Sequence, residues 1–294
     1  MIVVELSGGV GNQLFQYAAA RALADRLDTD LGLDLRPYRA KDSRRYGLDA
    51  FHIRATVVPD EDLLGVHGPR TLRRELTTGL LDRLVTLGHR PRLAHLTRVV
   101  HQGPSFTEVL TTVTDNSWLS GYWQSERYFA DDADRIRADL RLKNVSAESA
   151  ALEQTIRAMD YPVAAHVRRG DYATVESTRL YHGLQGSDYY RAAIRQIRER
   201  RPEAQFVFFS DEPEWVAANL GPDIAVLVRA NGTDRPQEDL HLMSCCRGHI
   251  IANSSFSWWG AWLAQSELVI APAKWYQAAG LDERDVVPAR WMRV

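Results

Sequence analysis

Short apolar runs alternate with helical spacings of apolar residues along the first part of the chain. Ile2 to Leu6 is a short, mainly apolar run, which indicates a buried strand. After a glycine-rich turn, apolar residues recur at helical spacing and predict a helix from about Gln13 to Leu27. Residues 31–35 indicate a second strand. A strand, a loop, a helix and a strand in this order predict a parallel α/β unit.

The same pattern begins again near Tyr161 and predicts a second α/β half. Because open α/β sheets bind ligands at the carboxyl ends of their strands, the loops that follow three of the predicted strands should line one crevice. These polar loops are Arg168–Tyr172, Ser210-Asp211 and Asn253–Phe256. We therefore predict one domain over 1–150 and a second over 160–270, with the segment 270–294 packing back on the first.

Composition and charge restrict the possible functions. The formal net charge of the 294-residue chain is −2, which leaves no global electrostatic footprint for nucleic acid. Two adjacent cysteines are too few for a disulfide framework or a zinc site, and no signal peptide or long apolar run is present. These features predict a cytoplasmic protein. The arginine-rich segment 68–98 is interpreted as a solvated helix face, with contact to the inner membrane face or a lipid-linked acceptor as the alternative.

An arginine pair follows the predicted strand near residue 164. Neighbouring strand residues point to opposite faces, so one of Arg168 and Arg169 should face the crevice and the other should stabilise the structure. A guanidinium group can bind two phosphate oxygens at once, which suits a diphosphate. The alternative is that both arginines form surface ion pairs.

Other motifs have a chemical and a structural interpretation each. The Asn253–Ser255 turn could offer backbone N–H groups and hydroxyls to an anion, or could only cap a helix. The glycine loop before Asn12 matches a dinucleotide fingerprint incompletely, because Leu14 stands where a third glycine is needed. The Asp28–Asp30 motif is interpreted as a solvated connection rather than a metal site. The tryptophans at 258, 259 and 262 are interpreted as packing.

Four motifs in order resemble those of the bacterial α-1,2-fucosyltransferases that act on β-galactosides, glycosyltransferase family 11. The motifs are GGVGNQLFQYAAARALA at the start, HVRRGDY around Arg168, FSDEPEW around Asp211, and ANSSFSWWGAWLA around Ser254. The resemblance implies an α/β fold of GT-B type, with two Rossmann-like domains facing across a cleft. The first domain would hold the acceptor and the second GDP-β-L-fucose.

The resemblance also implies roles for individual residues. Arg168 would contact the β-phosphate, with no metal and no other cofactor required. Asp239 would accept hydrogen bonds from the guanine. Asn12 would reach donor phosphate or acceptor. The remaining residues expected around the donor or acceptor are Gly11, His166, Ser210, Asp211, Asn253, Ser254, Ser255 and Phe256.

The acceptor hydroxyl must lose a proton, for which a carboxylate is the natural base. Asp171 is the first candidate, with Glu176 and Glu5 as alternatives, and Asp171 could instead orient an arginine. The expected reaction is inverting transfer of fucose to the 2-hydroxyl of a β-galactoside on an oligosaccharide or lipid-linked glycan. The alternatives are another fucosyl linkage, a nucleotide-binding protein without activity, or a nicotinamide enzyme, against which the incomplete fingerprint speaks.

Overall fold

The chain forms two compact units in the computed structural model. The first consists of Met1–Asp49 and Ile53–Asp139, and the second of Ala50–His52 and Leu140–Val294. The main boundary therefore lies after Asp139, ahead of the predicted residue 150. The structure describes residues 1–39, 45–63, 66, 93, 95–229 and 235–294. The arginine-rich segment predicted over 68–98 lies outside the described residues except for its last part.

The first unit contains a five-stranded parallel sheet in the order β3-β2-β1-β5-β4. Its order reverses between β1 and β5, so the loop that follows β1 lies at a topological switch point. The strands are β1 (Ile2–Glu5), β2 (Leu31–Asp34), β3 (Thr56–Val57), β4 (Thr97–Val100) and β5 (Ser117–Ser120). The described α-helices are α1 (Val10–Arg26) and α2 (Ala133–Asp139). Short 3₁₀ turns cover Arg36–Tyr38, Leu48–Ala50, Asp60–Leu63, Glu108–Thr111, Glu126–Tyr128 and Ala130–Asp132.

Helix α1 begins three residues earlier than the apolar spacing predicts. Gly9 is its N-cap, so Gly11 and Asn12 lie in its first turn rather than in the loop. The helix is buried over most of its length, and burial extends to the side chains of Gln13 and Gln16. The glycines around Val10 hid the true start, because a glycine-rich stretch is typical of a turn.

The second unit contains a six-stranded parallel sheet in the order β11-β10-β9-β6-β7-β8. Read from β8, this is the strand order of the doubly wound dinucleotide-binding fold, and its switch point lies between β6 and β9. The strands are β6 (Tyr161–Val167), β7 (Ala204–Ser210), β8 (Ile224–Arg229), β9 (Gly248–Ile250), β10 (Leu268–Ala271) and β11 (Met292–Arg293).

Helices cover both faces of the second sheet. Strand β6 is buried at every position, with Val163 and Ala165 in one apolar cluster and Ala164 in the other. This explains its continuous apolar sequence. The α-helices are α3 (Ala147–Arg157), α4 (Gly170–Thr174), α5 (Glu176–His182), α6 (Ser187–Arg200), α7 (Pro213–Leu220), α8 (Pro236–Ser244) and α9 (Ser255–Leu263), and a 3₁₀ turn covers Gly221–Asp223.

The last segment of the chain corrects one prediction. Residues 270–294 do not join the first unit, because β11 pairs in parallel with β10 and closes one edge of the second sheet. The backbone N–H of Val294 donates to Ala271 and its carbonyl accepts from Ala273. The apolar pattern could not assign this segment, since a two-residue strand gives no readable periodicity.

Two structural interpretations made from the sequence agree with the fold. Asp28 and Asp30 are exposed in the connection between α1 and β2. Trp258 and Trp259 are fully buried, and Trp258 stacks on Trp262 at a centroid distance of 6.2 Å. The tryptophans are therefore core residues of the second unit.

Candidate functional site

Arg168 follows β6 directly and lies between two carboxylates. Its Nη1 is 2.8 Å from Oδ2 of Asp211, and its Nη2 is 2.5 Å from Oδ1 of Asp171. All three side chains remain between a quarter and a third exposed. A partly exposed guanidinium at the carboxyl end of a central strand is available to an anion that enters from solvent.

Arg169 points away from Arg168 and stabilises the neighbouring turn. Its Nε is 2.9 Å from Oε2 of Glu212, and its guanidinium lies 4.3 Å from the centroid of the Trp215 ring. The side chain is more deeply buried than that of Arg168. Both arginines thus form ion pairs, as the alternative interpretation expected, and Arg168 is the more exposed of the two. That one of them faces a ligand stays a prediction.

The turn after β7 joins the loop after β6 through backbone and side-chain hydrogen bonds. Asp211 accepts from the backbone N–H of Arg169 at 2.9 Å, besides its contact with Arg168. A Cβ on Gly170 would lie 2.6 Å from Oδ2 of Asp211, so glycine is what allows the carboxylate to come this close. Asp211 therefore links both arginines of the pair.

Ser210 has a structural role in this turn. Its buried hydroxyl donates to the carbonyl of Val167 at 3.0 Å and accepts from the backbone N–H of Glu212 at 3.0 Å. The hydroxyl therefore connects β7 to β6 through its donor and one of its two acceptor lone pairs. The predicted contact of Ser210 with substrate stays a prediction.

The loop after β9 contacts the loop after β6. The Tyr172 hydroxyl donates to the carbonyl of Asn253 at 3.3 Å, and the Tyr172 ring stacks on His182 at 4.8 Å. The Asn253 amide is buried and donates to the carbonyls of His182 and Trp275. The three polar loops thus lie together, as the sequence predicts, with Asn253 engaged in holding them there.

Helix α9 begins beside these loops. Ser254 is its N-cap, and its side chain accepts from the backbone N–H of Phe256 at 3.3 Å. Ser255 is half-buried in the first turn. Because the first N–H groups of a helix lack intrahelical partners and carry partial positive charge, this terminus is suited to an anion.

His166 precedes Arg168 by two residues and is buried beside Phe256, with ring centroids 5.7 Å apart. Its Nδ1 is buried and has no hydrogen-bond partner among the described residues. Burial, reinforced by the charge of Arg168, lowers the pKa of His166 to about 3. The imidazole is therefore neutral near pH 7, and an unpaired buried nitrogen at this point fits a group that hydrogen-bonds a ligand.

Asp239 lies in the first turn of α8 and is 5 % exposed. Helices α8 and α9 pack against each other. The Asp239 carboxylate is therefore held in the same helix layer as the N-terminus of α9. Its predicted contact with guanine stays a prediction.

In the first unit, Gly11 is buried and Asn12 is half-buried. The Asn12 Oδ1 accepts from Nε2 of Gln124 at 2.9 Å. Gly8 has a φ of +76°, and a Cβ there would lie 2.8 Å from Nδ2 of Asn12. The side chain of Asn12 is therefore held in place by its own unit, and its predicted contact with substrate stays a prediction.

The other two base candidates lie in different surroundings. Glu176 is exposed in the first turn of α5. Glu5 is half-buried at the end of β1, where its Oε1 accepts from the Ser120 hydroxyl at 2.9 Å. Of the three candidates, only Asp171 contacts Arg168 in the described structure.

A buried amide network around the first loop was missed by the sequence analysis. Gln16 accepts from the backbone N–H of Ser7 at 2.9 Å and donates to the carbonyl of Gly121 at 3.0 Å. Gln13 donates to the carbonyls of Gly8 and Arg45. Two glutamines three residues apart on the apolar face of a predicted helix were the available signal, since buried amides need partners.

Comparison with known proteins supports an enzyme class. The sequence profile of glycosyl transferase family 11 matches residues 102–294. An alpha-1,2-colitosyltransferase of Escherichia coli is 31% identical, over 100% of this chain and 99% of its own length. A galactoside alpha-(1,2)-fucosyltransferase 1 of Ateles belzebuth is 30% identical, over 51% of this chain and 44% of its own length.

A solved structure shows the same fold. The structure of a NodZ alpha-1,6-fucosyltransferase soaked with GDP-fucose superimposes with a TM-score of 0.55, at 17% identity, over 96% of this chain and 97% of that chain. The fold is therefore α/β of GT-B type, built from two parallel-sheet units. The match to the family profile and the full-length similarity to a transferase identify a glycosyltransferase. The chain belongs to glycosyl transferase family 11. No helix among the described residues is long and apolar enough to cross a membrane.

Proposed function

We propose that the chain transfers L-fucose from GDP-β-L-fucose to the 2-hydroxyl of a terminal β-galactoside, with inversion and without a metal ion. The observation that carries the proposal is the position of Arg168. It follows β6, which borders the switch point of the second sheet, while α9 follows β9 on the other side of that point. A relative that is a galactoside alpha-(1,2)-fucosyltransferase supports the sugar, and two α-1,2-transferring relatives support the linkage.

Arg168 and the start of α9 would hold the donor's diphosphate. Transfer breaks the bond between the anomeric carbon and a phosphate oxygen, so negative charge grows on GDP. Preorganised donors aimed at that oxygen lower the barrier. A guanidinium and the N–H groups near Ser254 and Ser255 provide such donors, and they can take the role that a metal ion plays elsewhere.

The diphosphate would replace a carboxylate as the partner of Arg168. In the structure Asp171 occupies Nη2 and Asp211 occupies Nη1. Both ion pairs are partly exposed, and such pairs contribute only ~0–1 kcal/mol each, so a diphosphate can displace one at little cost. Asp211 is additionally fixed by the N–H of Arg169. Asp171 is therefore the partner that we expect to leave.

A released Asp171 carboxylate would be the first candidate for the base that deprotonates the acceptor hydroxyl. The alternative is that Asp171 only orients Arg168. Asp171→Asn separates the two when GDP binding and turnover are both measured. A base predicts a large loss of kcat with unchanged GDP affinity, whereas an orienting role predicts a change in GDP affinity.

The test of the proposal mixes the protein, GDP-fucose and lactose in the presence of EDTA. Released GDP together with a trisaccharide that carries a 2-linked fucose is the expected result. A product with a different linkage would contradict the α-1,2 assignment. A failure of GDP-fucose to bind in calorimetry would overturn the proposal itself.

Transfer of colitose is the second candidate, favoured by the full-length similarity to an alpha-1,2-colitosyltransferase. Colitose is fucose without its 3-hydroxyl. A site that hydrogen-bonds this hydroxyl rejects the deoxy sugar by ~10⁴-fold or more, whereas an apolar site accepts both sugars. Competition between GDP-fucose and the matching activated colitose at equal concentration decides between the two donors.

A further inference from the structure

Three side chains with oxygen, nitrogen and sulfur ligand atoms meet on the second unit. Glu153 lies on α3, His241 lies on α8, and Cys245 follows α8 directly. Their ligand atoms all lie within 4.8 Å of one another, and each residue is half-buried. Carboxylate, imidazole and thiolate are the three ligand types that zinc takes in proteins.

The backbone arranges these ligands in advance. His241 and Cys245 are four residues apart along α8 and its C-cap, so they lie on the same side of the helix. Glu153 comes from α3, which packs against α8. Its Oε2 already lies 2.9 Å from Nε2 of His241. Ligands on packed helices need only small side-chain adjustments to enclose an ion.

A cation already borders this cluster. The Nε of Arg157 is 2.7 Å from Oε1 of Glu153, and its Nη2 is 3.4 Å from Sγ of Cys245. The Arg157 side chain is 59% exposed. An exposed ion pair of this kind contributes ~0–1 kcal/mol, so a divalent ion at the centre can displace the guanidinium.

The protonation states set the cost of binding. Partial burial raises the pKa of Glu153, but hydrogen bonds from His241 and Arg157 outweigh it, so the net pKa lies below the ordinary value. Burial raises the pKa of Cys245 to about 11, although Arg157 opposes it. An ion must therefore displace the thiol proton, as metals that bind cysteine do.

We propose that Glu153, His241 and Cys245 bind one zinc ion, with water as the fourth ligand. The cysteine count argued against a zinc site, but the packing of α3 on α8 adds a carboxylate and an imidazole that this count does not include. Magnesium and calcium prefer oxygen ligands alone, which argues for zinc at a site with sulfur and nitrogen. The ion would join α3 to α8, the helix that also carries Asp239. This site is separate from the residues proposed for transfer, so transfer without a metal and zinc binding here can fail independently.

The test is a titration of the metal-free protein with Co²⁺, which reports a bound thiolate by a charge-transfer absorption band. One equivalent with this band is expected for the wild-type protein. Cys245→Ser should abolish the band and weaken Zn²⁺ binding in calorimetry by more than the ~10–100-fold that loss of an outer-shell partner costs. Glu148→Gln should leave zinc affinity unchanged and is the control, because Glu148 is an exposed carboxylate on α3, the helix that carries Glu153.

Arg157→Ala provides a change in the opposite direction. Removing the competing cation should tighten Zn²⁺ binding, and zinc should raise the unfolding midpoint of this variant and of the wild type, but not of Cys245→Ser. Absence of a thiolate band overturns the proposal. The proposal is also overturned if Cys245→Ser binds Zn²⁺ as tightly as the wild type, or if Arg157→Ala binds Zn²⁺ more weakly than the wild type. Cys245→Ser should retain sugar transfer.

Discussion

The loop after β1 and the loop after β6 occupy equivalent positions at the switch points of two parallel sheets, but different forces stabilise them. The first is held by neutral amides, mainly those of Gln13 and Gln16. The second is held by ion pairs of Arg168 and Arg169 with three carboxylates. Neutral networks fix a backbone, whereas exposed ion pairs can exchange partners, so we expect anion binding at the second loop.

The largest effect is expected from a substitution in the loop after β6. Arg168→Ala should lower the rate of transfer by at least ~100-fold, because it removes an electrostatic donor at the point where charge develops. The rate of fucosyl transfer and the GDP affinity are the measurements. Arg191→Ala, at an exposed arginine of the same unit, is the control. Near-normal turnover of Arg168→Ala would refute the assignment.

Removing an amide that holds the loop after β1 should lower the stability of the protein. Gln16→Ala leaves the Ser7 N–H and the Gly121 carbonyl without this partner. Both residues are half-buried, so each group should cost an amount in the lower part of the ~1–3 kcal/mol range for a buried group. We expect the free energy of unfolding to fall by about 2–4 kcal/mol in denaturant titration. Gln102→Ala, at an exposed glutamine, should change it by less than about 0.5 kcal/mol. Equal effects of both variants would mean that the network does not stabilise the loop.

Acid should weaken the second unit through its buried histidines. Burial lowers the pKa of His249 to about 3, and that of His166 equally, from 6.5. The unfolded state therefore binds protons that the folded state does not, and each histidine's contribution, complete above pH 6.5, is lost as pH falls towards 3. The loss is about 1.4 kcal/mol per pH unit for each histidine. In denaturant titrations, the free energy of unfolding should fall less between pH 7 and pH 5 for His249→Gln than for wild type. Equal falls for the two proteins would contradict this prediction.

The smallest expected effects come from one glycine in each loop. Gly8→Ala forces alanine into a φ of +76° and should cost about 1–2 kcal/mol of stability, with a smaller effect on GDP affinity than Gly170→Ala has. Gly170→Ala displaces the Asp211 carboxylate and should weaken GDP binding by roughly fivefold, equivalent to about 1 kcal/mol. Thermal unfolding of both variants measures the loss of stability, and calorimetry measures the change in GDP affinity. The comparison fails if Gly8→Ala is the variant that loses GDP affinity.

Local rules predicted what depends on neighbours in sequence. The apolar run of β6 indicated the central strand, and the loops after β6, β7 and β9 were expected to meet, as they do. Strand alternation does not explain the different partners of Arg168 and Arg169, because β6 ends at Val167. Contacts between distant segments were not predictable in this way. Asp211 reaches Arg168 from the next strand, and Glu153 meets His241 across 88 residues. Such contacts depend on strand order and helix packing, which periodicity alone does not determine.

Residues 50–52 lie within the first part of the chain but belong to the second unit, which affects how the protein can be divided into fragments. Phe51 is buried and pairs with Leu142, and the backbone of Lys143 donates to Ala50, so this piece of the early chain belongs to the second unit. A single cut after Asp139 would leave Phe51 without its partner in one fragment and Leu142 without its partner in the other. A chimera of two family members should therefore take residues 50–52 from the same protein as the later half. If the two proteins were joined at a single crossover, Phe51 and Leu142 would come from different proteins.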